Sequence, residues 1–257
     1  MSRPLAIDLF CGLFGWGVGL AAEGFEVVGF DLEDMGRQFG QTRPAHCQLV
    51  LQDVLTLHGR QFRDAALIVA SPPCQKYSWM AQPWKRARAA AAEIRADETG
   101  QMLADLNRLF DTCFRIQAQA SFAAGRHIPL VVENVRGAQP WVGRARWNFG
   151  SFYLWGDVPA LMPFTSHQPL LKPQPYQRRH GTGSVPSFRF DGSRRSFQMA
   201  SVKVNTVGGR WFNDGPRTPD SLSSSSSRSP ARKMASAMIA KIPEPLARHI
   251  AAVYRTA

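Results

Sequence analysis

The feature that most constrains the fold is a repeated alternation between short apolar runs and helical or glycine-rich stretches. Four runs, "PLAIDLF", "EVVGFD", "ALIVASPPC" and "IPLVVENV", have the length of buried strands and end on polar or reactive residues. An alanine-rich stretch with leucine and phenylalanine at helical spacing separates the third run from the fourth. This alternation predicts an α/β fold with a mainly parallel sheet and helices on both faces.

The residues that end these strands indicate where a site would lie. Asp8, Asp31, Cys74 and Glu133 each stand at or near the end of one run. In open parallel sheets, ligands bind at the carboxyl ends of the strands. We therefore predict that these four side chains meet at one edge of the sheet, although Cys74 and Glu133 are 59 positions apart.

A glycine-rich loop, "CGLFGWGVG", follows the first strand. Its glycines would let the backbone approach a bound ligand, but tight packing alone produces the same pattern, and both interpretations stay open. Asp31 ends the next strand and suits the hydroxyl groups of a ribose. Asp53 could accept a hydrogen bond from an adenine amino group or could cap a turn.

The motif "SPPCQKYS" at residues 71–78 is the sharpest chemical signal. Two prolines restrict the backbone in front of Cys74, which suits the presentation of a nucleophile at the end of a strand. A small core cysteine beside chance prolines is the alternative. Glu133 follows an apolar strand, where a carboxylate is costly to bury unless a task or a partner stabilises it.

The basic residues are concentrated in the last third of the chain. Residues 1–171 hold 16 Lys and Arg against 15 Asp and Glu, whereas residues 172–257 hold 15 against 4. Aromatic residues lie between these arginines, among them Phe188, Phe197 and Trp211. This pattern favours binding to a nucleic acid over a solvated basic tail.

Composition excludes several other classes. With 257 residues and 44% hydrophobic residues, the chain can bury a full core, and its apolar runs are too short to span a membrane. The N-terminus lacks the layout of a signal peptide, so we predict a cytoplasmic protein of a bacterium or of a phage-infected host. The four cysteines form no C-x-x-C pair, and we predict neither a disulfide nor a metal site.

Taken in order, "DLFCGLFGWG", "SPPCQKYS" and "VVENV" resemble the cofactor-binding, catalytic and ENV motifs of the DNA cytosine-C5 methyltransferases. The resemblance covers residues 5–137, and "MIAKIPEPLARHIA" resembles the last motif of that family. It implies a Rossmann-like fold that binds S-adenosylmethionine (SAM) and DNA. It also implies that Cys74 is the nucleophile and Glu133 its acid partner.

The resemblance also implies two sets of binding residues. The cofactor set comprises Asp8, Phe10, Cys11, Gly12, Gly15, Trp16, Gly17, Asp31, Leu32, Asp53, Val54 and Pro73. The DNA set comprises Gln75, Ser78, Lys85, Arg86, Arg88, Asn134, Arg178 and Arg179. The stretch from Tyr77 to Arg95 resembles the mobile loop that closes over a flipped base in this family.

The chain departs from the family in its last third. The family's Q-x-R-x-R motif has only "QPYQRRHG" as a counterpart, and Ala240 stands where the last motif holds an asparagine. We predict a catalytic domain at 1–170, a small basic target-recognition region at 171–230 and C-terminal helices at 231–257 that pack on the catalytic domain. The recognition region is short, so a partner chain could assist it. A phage and a restriction-modification system would suit so compact a chain equally.

Three other functions remain open from the sequence. An RNA cytosine methyltransferase would need the same base chemistry, and a non-catalytic DNA-binding relative would explain the altered late motifs. An NAD-dependent oxidoreductase would explain the glycine loop but not the "SPPCQ" motif.

Overall fold

The structure is a computed structural model that describes residues 2–78, 84–160 and 230–255. The chain divides into two compact units, residues 1–160 with 241–257 and residues 161–240. Most of the second unit, including the stretch in which the predicted boundary near residue 170 falls, lies outside the described residues. The predicted domain boundaries therefore stay predictions.

Seven strands form one sheet in the first unit. They are β1 (Leu5–Leu9), β2 (Glu26–Asp31), β3 (Cys47–Leu51), β4 (Leu67–Ala70), β5 (Leu130–Asn134), β6 (Trp147–Phe149) and β7 (Phe152–Gly156). Their order is β3-β2-β1-β4-β5-β7-β6. The first five run parallel to one another, whereas β7 is antiparallel to both of its neighbours. This arrangement confirms the predicted α/β class with a mainly parallel sheet.

The helices in chain order are α1 (Gly15–Ala22), α2 (Met35–Gln38), α3 (Trp84–Ala96), α4 (Gln101–Ala124), α5 (Gln139–Val142), α6 (Pro230–Ala240) and α7 (Glu244–Arg255). Short 3₁₀ helices cover Val54–Thr56, Gly59–Phe62 and Arg136–Ala138. The alanine-rich stretch forms two helices rather than one. The break lies at Asp97, whose carboxylate accepts hydrogen bonds from the backbone of Thr99 and Met102 and so begins α4.

The two faces of the sheet differ in what they bury. The main core cluster packs Ile7, Ile68 and Leu130 against Phe110 and Ile116 of α4. Side chains alternate along a strand, so Asp8 and Glu133 point to the opposite face of the sheet. Helix α1 connects β1 to β2, which lies on one side of β1, whereas α4 connects β4 to β5, which lies in the opposite direction along the sheet. Because such crossovers are right-handed, α1 and α4 lie on opposite faces of the sheet. Asp8 and Glu133 consequently share the face of α1.

Helix α7 belongs to the first unit and packs closely against α1. A Cβ atom added at Gly19 would lie 2.4 Å from the Cβ of Ala247, and one at Gly15 would lie 2.4 Å from the backbone nitrogen of Ile242. At the two ends of α7, Arg248 pairs with Glu23 at 2.7 Å and the Tyr254 hydroxyl donates to the Asp157 carbonyl. The packing of α7 therefore explains Gly19, and the segment that precedes α7 explains Gly15.

We expect Gly19→Ala to lower the free energy of unfolding by about 1 to 3 kcal/mol, because the added methyl group overlaps α7. The sign is informative, since alanine normally stabilises the interior of a helix relative to glycine by about 0.5 to 1 kcal/mol. Urea unfolding would measure the change. Ala22→Leu, which adds bulk at an exposed position of the same helix, is the control and should be nearly neutral. A stabilised Gly19→Ala variant would contradict this account of the packing.

Among the residues described, no helix combines the length and the apolar character that crossing a membrane requires.

Candidate functional site

The turn that carries Cys74 leaves the end of β4 and is held from several sides. The backbone nitrogens of Tyr77 and Ser78 both donate to the Cys74 carbonyl, at 3.0 and 2.9 Å. The Asn134 side chain at the end of β5 donates to the Pro72 carbonyl at 2.9 Å. Cys74 itself is partly exposed, whereas the other three cysteines are buried. The turn thus presents one accessible thiol from a rigid backbone.

A second network fixes the far end of this turn. The buried Tyr77 hydroxyl donates to the Asn107 Oδ1 of α4 at 3.0 Å, with the Leu106 carbonyl 3.2 Å away. The Asn107 amide in turn donates to the Trp141 carbonyl of α5 at 2.9 Å. Asn107 therefore connects the turn of Cys74 to the segment that follows β5. No local sequence pattern indicates this role, because Asn107 lies inside an amphipathic helix.

Glu133 lies on β5 beside the turn of Cys74. The parallel register pairs Ala70 with Val132, so the next residues along the two strands, Ser71 and Glu133, lie side by side. The Glu133 side chain is buried, with 8% exposure. Burial raises the pKa of Glu133 to about 8. The neighbouring Ser71 hydroxyl lowers this pKa, but its effect is smaller than that of burial. At neutral pH this carboxyl group is therefore mainly protonated and can donate a proton.

The Cys74 thiol has a raised pKa of about 11, because it is mostly desolvated and because the negative charge of Glu133 opposes a thiolate. The second effect disappears when Glu133 is protonated. A protonated Glu133 thus helps the nucleophile as well as serving as an acid. The two side chains form an electrostatically coupled pair.

The cofactor side of the site begins at Asp31, the last residue of β2. Its carboxylate accepts hydrogen bonds from the backbone nitrogens of Gly12 at 2.8 Å and of Leu32 at 2.7 Å. A Cβ atom added at Gly12 would meet no atom within 4 Å, so the loop is open at this point. Each carboxylate oxygen of Asp31 keeps a further lone pair, which could accept a hydrogen bond from a ribose hydroxyl.

Apolar surface continues from Asp31 to the edge of the sheet. Leu32 is 69% exposed, and Leu51, which pairs with Asp31 in the register of β2 and β3, is 60% exposed. Exposed leucines at strand ends suit the flat face of an adenine. Asp53 uses Oδ1 to accept from the Leu55 backbone at 2.9 Å, so it caps the 3₁₀ helix Val54–Thr56. Its other carboxylate oxygen forms no hydrogen bond among the described residues. These features fit SAM.

The structure divides the predicted cofactor set into accessible and buried members. The accessible or partly exposed members are Phe10, Gly12, Asp31, Leu32, Asp53 and Pro73. The buried members are Asp8, Cys11, Gly15, Trp16, Gly17 and Val54. The buried residues lie beneath the loop, in helix α1 or, for Val54, in the 3₁₀ helix after β3, where they support the shape of the site and do not line open space.

Asp8 is the most unusual of the buried members, because its carboxyl group has no exposed surface and neither oxygen has a hydrogen-bond partner among the described residues. Burial and the nearby charge of Asp31 raise its pKa well above the usual range. The Gly17 backbone N–H lies near it and favours the charged form, but its geometry falls short of a hydrogen bond. Burial therefore favours the neutral form of Asp8 beneath the glycine-rich loop.

The predicted DNA set is also divided. Gln75 and the three basic residues of α3, Lys85, Arg86 and Arg88, are exposed, whereas Asn134 is buried and positions the turn of Cys74. The second half of the predicted mobile loop is helix α3, and the Arg95 guanidinium near its end lies over the Trp141 ring, 5.1 Å from the centroid. Arg178 and Arg179 lie outside the described residues.

Within the described ranges, no group of three or more His, Cys, Asp or Glu side chains is arranged to hold a metal ion. The candidate site therefore consists of one thiol, one protonated carboxyl group and an open, partly apolar cofactor face along the carboxyl ends of β1 to β5.

Comparison with known proteins supports this interpretation of the motifs. The family model of C-5 cytosine-specific DNA methylases matches residues 5–110. This match covers the glycine-rich loop, Asp31 and the Cys74 turn, and over these residues it confirms the resemblance predicted from the sequence motifs. No curated protein matches the chain.

Several solved structures are similar over about half of the chain. One, described as a DNA modification methyltransferase encoded within an E. coli prophage, has 20% identity and a TM-score of 0.34 over 53% of this chain and 33% of that one. The Entamoeba histolytica methyltransferase EhMeth has 13% identity and a TM-score of 0.32 over 56% of this chain and 41% of its own. The S. pombe Dnmt2 methyltransferase has 14% identity and a TM-score of 0.33 over 55% of this chain and 37% of its own. The matched part thus spans about two fifths or less of these proteins.

Proposed function

We propose that this chain, whose residues 5–110 match the C-5 cytosine-specific DNA methylases, transfers a methyl group from SAM to C5 of a cytosine in DNA. The observation that carries the proposal is the pairing of Cys74 and Glu133. An accessible thiol on a rigid turn lies beside a buried carboxyl group that burial keeps protonated at neutral pH. This combination fits covalent catalysis on a base ring.

Cys74 supplies the nucleophile. Its thiolate adds to C6 of the cytosine, and the electron pair of the C5–C6 double bond becomes available at C5. C5 would then take the methyl group that SAM supplies, as the bond from that methyl carbon to the cofactor sulfur breaks and the demethylated cofactor leaves. A base removes the C5 proton, the double bond forms again and the thiolate leaves. The cysteine is regenerated at the end of each turnover.

Glu133 supplies the acid. Its proton passes to N3 of the cytosine as Cys74 adds, which prevents a full negative charge from building up on the ring. The proton returns to Glu133 when the thiolate leaves. A carboxyl group with an ordinary pKa would be ionised at neutral pH and could not donate. The raised pKa of about 8 makes this step possible.

SAM would be held by Asp31 at its ribose, by Leu32 and Asp53 at its adenine and by the open backbone at Gly12. The chemistry that SAM supplies is an activated methyl group for a carbon nucleophile. Pro73, exposed next to Cys74, would flank this methyl group. The cofactor and the nucleophile then meet at the same edge of the sheet.

DNA is the proposed substrate because the chain concentrates positive charge away from the catalytic motifs. Residues 172–257 hold 15 Lys and Arg against 4 Asp and Glu. Salt-dependent contacts to the phosphates would come from this region, including Arg178 and Arg179, and from Lys85, Arg86 and Arg88 of α3. Stacking in a duplex covers the two faces of the ring, where the thiolate would have to approach C6, so the target cytosine must be flipped out of the helix.

Methyl transfer from radiolabelled SAM to duplex DNA and to tRNA, measured side by side, tests the proposed function. We expect label in DNA, and bisulfite sequencing of DNA from a bacterium that expresses the chain should locate the modified cytosines. Label in tRNA alone would assign the same chemistry to RNA. SAM binding without transfer to either substrate would favour a non-catalytic DNA-binding protein.

We expect Asp31→Ala to weaken SAM binding by roughly ten- to a hundredfold, because a charge-assisted hydrogen bond to the ribose is worth about 1.5 to 3 kcal/mol. Isothermal titration calorimetry would measure this affinity, and DNA affinity should stay the same. Asp34→Ala is a matched control, since that carboxylate pairs with Arg43 and begins α2. Unchanged SAM affinity in a folded Asp31→Ala variant would return Asp31 to a purely structural role in the loop.

A further inference from the structure

Ser71 occupies a position between the cofactor loop and the proposed acid. It follows β4 directly, and its backbone nitrogen donates to the Leu9 carbonyl at 3.1 Å, which continues the sheet by one residue. On its other side, the register of β4 and β5 places Ser71 next to Glu133. The Ser71 side chain shares the face of α1 with Glu133, because Ala70 and Val132 both belong to the core on the opposite face.

The hydroxyl group of Ser71 has one proton to donate, and its oxygen also accepts a hydrogen bond. The indole Nε1 of Trp16 donates to Ser71 Oγ at 3.0 Å. The Trp16 ring is 1% exposed, so α1 locks its orientation. Because the indole can only donate, it fills an acceptor position of the hydroxyl and leaves the Ser71 proton for another partner. The Glu133 carboxyl group, which the register of β4 and β5 places beside Ser71, is the neighbour that could accept this proton.

We propose that Ser71 is a positioning residue that donates its hydroxyl proton to the Glu133 carboxyl group and is itself oriented by Trp16. The chain Trp16 to Ser71 to Glu133 then connects the helix that follows the cofactor loop to the acid that acts on the base. This inference rests on the proposed function, in which Glu133 is the acid, and it adds a residue to which no motif assigned a role.

The consequence is a carboxyl group with one preferred orientation. Burial alone would leave the Glu133 proton free to sit on either oxygen. A donor on one side holds one oxygen as an acceptor, so the proton belongs on the other oxygen, where it can be passed to the ring. The same donor stabilises the ionised form that remains after the transfer, and so it limits how far burial raises the pKa.

The surroundings of Glu133 make its titration a clean measurement. Among the residues that the structure describes, the titratable side chain next to it is Cys74, in the turn after β4. Asp8 on β1 shares the same face two strands away, and burial raises its pKa and favours its neutral form. Trp16 of α1 and Leu154, the partner of Glu133 on β7, carry no charge. A change in the titration of Glu133 in a Ser71 variant would therefore report the loss of the hydroxyl group.

The test is a ¹³C NMR titration of the full chain with carboxyl-labelled glutamate. The chain has seven glutamates, and the Glu133 signal is the one that disappears in Glu133→Gln. We expect Ser71→Ala to raise the titration midpoint of Glu133 by about one pH unit, since a hydrogen bond to the charged form is lost. Ser71→Thr keeps the hydroxyl group and should restore the wild-type midpoint. Trp16→Phe should move the midpoint upward by less than Ser71→Ala.

An unchanged midpoint in Ser71→Ala would overturn the proposal, and an unchanged midpoint in Trp16→Phe would overturn the part assigned to Trp16. Thermal melting and SAM affinity establish that each variant is folded. Under saturating SAM, Ser71→Ala should lower kcat about tenfold or more and leave the DNA KM nearly unchanged. The titration needs no turnover, so an inactive wild type would count against the proposed function and leave the Ser71 result interpretable.

Discussion

Cys74→Ser is expected to abolish methyl transfer, with a loss on the order of a thousandfold or more, while SAM affinity stays close to that of the wild type. The thiol acts on the base and touches the cofactor site only at its edge. A hydroxyl group in this position is a far weaker nucleophile, because much less of it is ionised at neutral pH. Transfer of label from SAM to DNA and calorimetric SAM binding would measure the two effects separately.

A matched control is Cys113→Ala, which removes a fully buried thiol whose Sγ donates to the Leu109 carbonyl within α4. This variant should keep its activity and lose only some stability.

DNA that contains 5-fluorocytosine gives an independent readout, since the fluorine at C5 cannot leave as a proton. Wild-type protein should form an adduct on a denaturing gel and Cys74→Ser should not. Turnover above a tenth of the wild-type rate in Cys74→Ser would refute the role of Cys74.

Glu133→Gln should lower kcat by about a hundred- to ten-thousandfold, because the amide keeps the shape of the side chain but has no acidic proton to donate to N3. Single-turnover methylation at saturating SAM would measure this loss. Glu93→Gln, an exposed change on α3, is the control and should leave the rate intact. Full activity in Glu133→Gln would remove the acid from the proposed mechanism.

The same variant should become more stable relative to the wild type as pH rises, and this separates the chemistry of Glu133 from a folding defect. Burial raises the pKa of Glu133 from 4.5 to about 8, so between these values the folded protein binds more protons than the unfolded chain. The free energy of unfolding of the wild type should therefore fall as pH rises from about 5 to 8. Glu133→Gln removes one source of this slope, while the raised pKa of Asp8 leaves another. Urea unfolding at several pH values would show a flatter profile for the variant.

The strand ends illustrate how much of the site could be predicted. Apolar runs ending in Asp31, Cys74 and Glu133 predicted parallel strands whose polar ends meet, and the register of β4 and β5 places Glu133 beside the Cys74 turn. The strands β3, β6 and β7 were not predicted. β3 is an edge strand with exposed residues, and β6 and β7 form a short antiparallel hairpin, so none of them has a continuous buried run.

The glycines show where local pattern is ambiguous. Gly12 and Gly15 have the same appearance in the sequence, yet Gly12 faces open space beside Asp31 and Gly15 lies against Ile242 from the far end of the chain. The two glycines differ in what approaches them and in backbone conformation, since Gly12 has a φ of +50° whereas Gly15 lies in helix α1. That neighbour comes from a distant segment, so no local pattern could separate the two cases.

The sequence by itself determined the alternation of strands and helices, the presentation of Cys74 by two prolines and the polar ends of the strands, because each depends on neighbours along the chain. Only the tertiary structure decided that α7 packs on α1, that Asn107 and Asn134 hold the Cys74 turn and that Ser71 lies between Trp16 and Glu133. It also decided the protonation of Glu133. These properties depend on burial and on contacts between distant segments, and both arise only when the strands take their places in the sheet.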